Sequence, residues 1–352
     1  MNREKKSVTI REVASAAGVS VSTVSRVLND KDDVAAETYE RVQQVIAELG
    51  YSSSLAARSM RSRRTNVIGL IVPDVDDSFS IQVMKGVNRA ITELDYDLLI
   101  YTSGSIKKRS AADRERHFVS LLNGSITDGI IIVTPAATSF STAAPVVAVD
   151  PNNQSPDCPG ITAANHEGSV AAMRYLIGLG HKRIGFIGGR PDLQCAHQRL
   201  LGYVDSLERA GLVSDPDLIA IGDFSSETGR DCARRLLSLS QPPTAIFTAN
   251  DQTAIGAIEA AHDMGLRVPQ DLSVVGFDNI PEAAYLNPRL TTVDQFVDRM
   301  GYAATEMLIG LIEGESLDNH LYDLPTKLVV RDSCQVVNIS LSDDSRVPMW
   351  QS

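Results

Sequence analysis

The stretch that most constrains this chain runs from Thr9 to Asn29, TIREVASAAGVSVSTVSRVLN. Ile10, Val13, Ala14 and Ala17 recur at i, i+3, i+4 and i+7, the spacing of one buried helical face. Thr9 followed three residues later by Glu12 reads as a capping box, so the spacing predicts a helix that starts at Ile10. Gly18 supplies a tight turn, and Ser20 is a suitable N-cap for a second short helix over residues 21–28. Two short helices joined by a glycine-containing turn form a helix-turn-helix, whose second helix enters the major groove of DNA. Helix hairpins also occur in enzymes, so the spacing alone leaves both uses open. A third helix is predicted from about Ala36 to Leu49, with Val42, Val45, Ile46 and Leu49 as its apolar stripe and Gly50 as its stop. Ala35 and Ala36 stand where a capping hydroxyl is usual, so this helix should start weakly.

A net charge of −11 seems to argue against a DNA binder until the chain is divided. Residues 1–65 carry 11 Lys/Arg against 8 Asp/Glu, whereas the remainder carries 22 against 36. A basic head on an acidic body suits a molecule that meets phosphate at one end only. Ordinary surface variation would give a similar excess, because the head is only mildly basic. At 352 residues, two or three units are expected. The four cysteines (Cys158, Cys195, Cys232, Cys334) have no metal-ligand or C-x-x-C spacing, which predicts reduced thiols and no metal or cofactor. No apolar run is long enough to span a bilayer and no export signal precedes the first helix, so a cytoplasmic protein is expected.

Residues 52–65, SSSLAARSMRSRRT, read as a polar, basic linker. From Asn66 the texture changes to short β-branched runs (VIGLIV, DLLIY, DGIIIVT, PVVAVD) separated by helical stretches. The alternation repeats after about residue 164, with RIGFIGG, PTAIFTAND and LSVVGFD as strands. This pattern predicts two doubly wound parallel sheets with a ligand cleft at the strand C-termini. No G-x-G-x-x-G opens a helix after a strand, and neither a phosphate-loop motif nor a G-x-S-x-G elbow occurs. A dehydrogenase, nucleotidase or hydrolase is therefore disfavoured, and no catalytic residue is assigned.

The elements TIREVA, AGVS, STVSRVLN and ELGY closely resemble the headpiece of the lac repressor (LacI/GalR) family of bacterial transcription regulators. GHKRIGFIGG, TANDQTAIGAIEAAHDMGLRVPQDLSVVGFDNI and PRLTTVDQ resemble the same family's core, so the resemblance covers about residues 8–334. It implies an all-α helix-turn-helix headpiece (1–51), a hinge (52–65), a periplasmic-binding-protein-like core (66–340) and a tail (341–352). The core's N-subdomain would take about 66–163 and 291–322, and its C-subdomain about 164–290 and 323–340. The expected crossings lie near residues 163, 290 and 323. The tail has no heptad, so a tetramer-forming coiled coil is not expected. The function implied is that of a homodimeric repressor on palindromic double-stranded operator DNA, released by a sugar inducer. A corepressor-dependent regulator, like the family's purine-responsive members, is the alternative within it, and a soluble sugar-binding protein the alternative outside it.

Carried onto this chain, the resemblance puts Val21, Ser22 and Arg26 on the exposed face of the reading helix. Arg26 is the candidate for bidentate contact to guanine, and Val21 either meets a thymine methyl or packs in the headpiece core. Thr9, Ser20, Thr23, Ser25, Asn29 and Tyr51 bear groups suited to phosphate, or to capping and packing. Ala57 and Met60 fall on the family's minor-groove hinge helix, with Met60 in place of its wedging leucine. On the effector side, Asp150, Arg199, Asn250 and Asp278 are expected at strand ends or facing the cleft, with Phe79 and Phe224 against an apolar sugar face. Asp278 with Arg199 would offer a carboxylate and a planar donor fork to adjacent hydroxyls. Asp251 is expected to support structure, and Cys195 and His197 to be bystanders. The helix SFSIQVMKGVNRAITELD is expected to contribute to the dimer interface.

Overall fold

The computed structural model describes residues 8–28, 33–51, 64–104, 110–124, 126–152, 157–317 and 319–337. The chain divides into two compact units, residues 1–65 and 66–352.

The first unit holds α1 (Ile10–Ala17), α2 (Val21–Val27) and α3 (Ala36–Leu49). The capping box forms in both directions: Thr9 Oγ1 accepts from the Glu12 amide, and Glu12 accepts from the Thr9 amide at 2.7 Å. Gly18 takes the left-handed conformation (φ 66°) that the turn requires, and Ser20 Oγ accepts from the Thr23 amide at 3.1 Å. Val13, Ala14, Ala17, Val24, Val27 and Val42 close a small core. The stripe of α3 is narrower than its spacing predicts. Only Val42 is buried, with Tyr39, Val45 and Ile46 half-buried, while Leu49 is exposed. Leu49 sits on the last turn, beyond the reach of the two short helices that α3 packs against.

Ala35 gives α3 no side-chain cap. We expect Ala35→Ser to stabilise the headpiece by about 1 kcal/mol, because a hydroxyl there would accept from an unsatisfied first-turn amide. Slower hydrogen exchange in that turn of the full chain would report it, and unchanged exchange would contradict it.

The second unit is built on two six-stranded sheets. The first is ordered β11 (Leu321–Leu324), β5 (Gly160–Ala163), β4 (Val146–Val149), β3 (Gly129–Val133), β1 (Val67–Val72), β2 (Asp97–Thr102), parallel throughout. The second is ordered β12 (Lys327–Val329), β10 (Thr291–Asp294), β9 (Ser273–Asp278), β8 (Ala245–Thr248), β6 (Ile184–Gly188), β7 (Ile219–Ile221), with only β12 antiparallel. Central strands such as β1 and β3 are buried along their whole length, as continuous apolar runs in a covered sheet must be.

Helices α4 (Ser78–Glu93), α5 (Ala111–Leu122) and α10 (Val297–Glu313) belong to the first half of this unit. Helices α6 (Asn165–Gly178), α7 (Gln194–Arg209), α8 (Ser226–Leu237) and α9 (Asp251–Asp263) belong to the second. One face of α4 is taken up within the core. It lies against α10 so closely that a Cβ on Gly86 would collide with the Asp298 carbonyl, and one on Gly301 with that of Val83. Arg89 spans the crossing to Asp298 at 3.3 Å and lies 4.9 Å over the Tyr302 ring.

The chain passes between the sheets three times, and two passages fall a few residues later than the resemblance implies. Residues 291–294 still pair with β9 in the second sheet, so that passage is at Gln295 and not near residue 290. Asp323 and Leu324 still pair with β5 in the first sheet, so the third passage lies between Leu324 and Lys327. Proline and polar residues mark where a strand begins, whereas its end is set by the last ladder bond, which carries no residue signal.

Candidate functional site

Within the headpiece, α2 presents Val21, Ser22 and Arg26 outward and turns Val24 and Val27 into the core. Val21 is 42% exposed, which removes the reading of it as core. An exposed valine on this face offers only apolar contact, whereas Arg26 offers two parallel donors. Arg26 is paired with Asp33 at 3.3 Å, and both are more than half exposed. Such a pair contributes ~0–1 kcal/mol to stability and leaves the guanidinium available to a stronger partner. The hydroxyls on this side are already engaged locally. Thr9 donates to Glu12 at 2.9 Å, and Ser20 lies 2.7 Å from Ser22 Oγ and 2.8 Å from Thr23 Oγ1. Ser25 is half-buried, and Tyr51 packs against the headpiece core. Asn29, Ala57, Met60 and the tail lie outside the described residues.

In the core, Phe79, Asp150, Arg199, Phe224, Asn250 and Asp278 line one cavity of about 190 Å³. Strand ends put them there: Asp150 follows β4, Asn250 follows β8, and Asp278 ends β9. Thr134, Asp150, Phe224 and Asp278 all have positive φ (43°, 51°, 77° and 112°). Strained backbone of this kind persists where surrounding packing over-determines it, and it clusters at ligand sites.

Arg199 is buried, with its guanidinium 3.8 Å above the Phe277 ring. Its Nε donates to Asn165 Oδ1 at 2.8 Å, Nη1 to the Ala249 carbonyl and to Asp278 Oδ1 at 3.4 Å, and Nη2 to Gln295 Oε1 at 3.3 Å. The expected open fork is thus mostly committed to protein, leaving a single Nη2 N–H of its five for a ligand. Gln295 Nε2 in turn donates to Asp278 Oδ1 at 2.5 Å, and Asp278 Oδ2 has no hydrogen-bond partner among the described residues.

Burial pushes the Asp278 carboxyl up to about 7; Arg199 pulls it down, while Asp77 and Asp150 push it further up. The carboxyl of Asp150 is also raised, chiefly by burial and against the pull of Arg199. Asp150 accepts from Thr162 Oγ1 at 3.2 Å. Cys195, expected to be a bystander, lines the same cavity as Asp150, and burial raises its thiol far above the ordinary value. His197 is exposed and outside the lining.

Asn250 has both amide atoms in use, Oδ1 capping α9 through the Thr253 amide and Nδ2 donating to the Phe224 carbonyl, each at 3.0 Å. It positions Phe224, whose ring lies where a side chain on Gly189 would be. Asp251 is structural as expected, accepting from Thr292 Oγ1 at 2.5 Å and from the Ile280 amide at 2.9 Å. Residue patterning alone missed Gln295, Asn165 and Gly189. Gln295 carried one available signal, a polar residue at the C-terminal end of a buried strand in PRLTTVDQ. Among the described residues, no group of His, Cys, Asp or Glu could hold a metal ion, and no helix is long and apolar enough to cross a membrane.

Comparison with known proteins agrees with both units. Residues 9–54 match the family described as bacterial regulatory proteins, lacI family, and residues 173–334 match a periplasmic binding protein-like domain. The repressor PurR of Pasteurella multocida is 34% identical over 92% of this chain and 98% of its own. Among solved structures, the lac repressor dimer bound to operator and the anti-inducer ONPF is similar, with a TM-score of 0.83 and 28% identity over 94% of this chain and all of its own. The regulator CelR in complex with cellobiose gives a TM-score of 0.70 at 29% identity, over 93% of this chain and 99% of its own.

Proposed function

Because the chain belongs to the lacI family of bacterial regulatory proteins, and so is an effector-regulated DNA-binding transcriptional repressor and not an enzyme, we propose that its effector is a sugar that lowers its affinity for a palindromic operator. One observation carries the reading. The cavity of about 190 Å³ pairs an aromatic edge, Phe79 and Phe224, with the free oxygen of Asp278 and the one remaining donor of Arg199. A pyranose or furanose offers that combination, an apolar ring face and hydroxyls that both donate and accept. An acidic lining of Asp77, Asp150, Asp223 and Asp278 against Arg190 and Arg199 favours a neutral ligand over a phosphorylated one.

On the DNA side, two headpieces of a dimer would read two half-sites, each through Val21, Ser22 and Arg26. Helix α4 is the proposed contributor to the dimer contact, through the side chains it does not turn toward α10. Effector and operator are then linked through two states of the core, and coupling of ~1–3 kcal/mol changes operator affinity by about 5–150-fold.

The test is selection of bound DNA from a random pool, followed by titration of the selected site with mono- and disaccharides. A palindrome with guanine under each Arg26 is expected, and Arg26→Ala should lose ~1–3 kcal/mol of discrimination at that base. Selection of no sequence at any salt concentration would overturn the operator reading. A sugar that tightens operator binding would replace the inducer by a corepressor.

A further inference from the structure

Two of the three chain passages between the sheets end on the same side chain. Asn165, which opens α6 directly after the first passage, accepts from Arg199 Nε, and Gln295, which forms the second, accepts from Arg199 Nη2. The third joins them indirectly, Thr326 Oγ1 donating to the Ala164 carbonyl at 3.4 Å. Gln295 alone among these residues touches both members of the Arg199–Asp278 pair, accepting from one and donating to the other. It lines the cavity beside that pair but is only 1% exposed, so most of its surface is committed to its two partners. On its C-terminal side the chain turns at once through Phe296 at φ 54°, held by Asp294 Oδ1 accepting from the Phe296 amide at 2.8 Å, and enters α10 of the other half.

We propose that Gln295 is the positioning residue that couples the Arg199–Asp278 pair to the second chain passage, so that a ligand bonding to that pair changes how the two halves of the core are joined. The inference rests on reading the cavity as the effector site. A hydroxyl arriving at Asp278 Oδ2 and Arg199 Nη2 redistributes bonds that Gln295 shares on both sides. The amide must then follow the pair or break from it. Either response moves backbone at Gln295, because the side chain is enclosed and the passage is two residues from the first turn of α10.

The full-length protein and Gln295→Met, close in shape but without the amide, are compared by operator binding with D-ribose, D-glucose and cellobiose as probes. The wild type should show a ratio of about 5–150 between operator dissociation constants with and without the responding sugar. The variant should bring that ratio to within about threefold of unity, with sugar affinity kept within about tenfold. An unchanged ratio overturns the proposal, as does loss of sugar binding itself, which would make Gln295 a ligand contact. Gln295→Asn, whose amide is one methylene short of both partners, is read the same way should the methionine variant not fold.

A second arm uses the proton as the ligand of Asp278, whose charged and titratable neighbours are Arg199 and Cys195 on α7, Asp150 after β4, Asp77 before α4 and Asp251 on α9. Between pH 6 and 8, amide protection factors at the start of α10 should change by about threefold or more in the wild type and stay flat in the variant. Equal behaviour of the two proteins overturns the proposal. If none of the three sugars affects the wild type, the sugar reading fails for them by itself, and the proton arm still decides the role of Gln295.

Discussion

Arg199→Met should destabilise the core by about 3–5 kcal/mol at pH 8, the cost of leaving a buried carboxylate without its counter-charge. Methionine keeps an unbranched stem but loses the guanidinium's stacking on Phe277 together with its polar contacts. Four acceptors lose a donor: Asn165 Oδ1, the Ala249 carbonyl, Asp278 Oδ1 and Gln295 Oε1. Asp278 and Asp150 then face each other and Asp77 with no cation that lowers either carboxyl. The penalty should shrink at pH 5, because Asp278 can take up a proton and leave a neutral group in place of an unpaired charge. Urea unfolding followed by circular dichroism at the two pH values measures both effects. A loss below about 1 kcal/mol at pH 8 would mean that water reaches this pair and that the cavity is wetter than its burial implies.

This same arginine shows where residue patterning stops. Its position was legible, because HQRLLGY follows a strand and a glycine-rich turn in a register that the neighbouring motifs fix. Its partners were not. Asn165, Ala249, Asp278 and Gln295 are separated from it by 34 to 96 residues, and three of them end or follow strands in a topology that places them together. A periodic pattern reports which face of an element is buried. It does not report which of the buried polar groups will share a hydrogen.

The local signals fared better because the physics behind them is local. Thr9 with Glu12, Ser20 and Gly18 each satisfy backbone groups within four residues of themselves, and all three appear as expected. Leu49 failed for the opposite reason: apolar spacing predicts a buried stripe only as far as there is something to pack against. Cys195 was passed over because a lone thiol carries no motif, yet its place in the first turn of α7 brings it into the cavity that Asp150 lines from the other half of the core. The passages at Gln295 and after Leu324 are hidden in the same way. A strand that finishes one sheet and a strand that leaves it have the same composition.

Asp278→Asn should make the core more stable than the wild type at pH 8 relative to their difference at pH 5. The folded protein holds this carboxyl at about 7, above its ordinary value of 3.8, so the folded state binds the proton more tightly than the unfolded chain. The stability linked to that proton is fully present below pH 3.8, is lost as pH rises toward about 7, and changes no further above it. Each unit of pH inside the window is worth about 1.4 kcal/mol, so between pH 5 and 8 the comparison should move by roughly 3 kcal/mol in favour of the variant. Asparagine can still accept from Gln295 and Arg199 through its carbonyl, which keeps the neighbouring bonds and isolates the charge. Asp150 and Asp251 also have raised carboxyls, and because each repels the Asp278 charge, removing that charge eases their ionisation and adds to the shift in favour of the variant. A difference that stays flat with pH would place the titration of Asp278 outside this range. It would also remove the proton as a probe of Gln295. The variant should at the same time bind sugar more weakly, because it exchanges the Asp278 carboxylate oxygen that faces the remaining Arg199 donor for an amide nitrogen that cannot accept. Stability gained at pH 8 together with affinity lost is what a site that holds an incompletely compensated buried charge for its ligand must show.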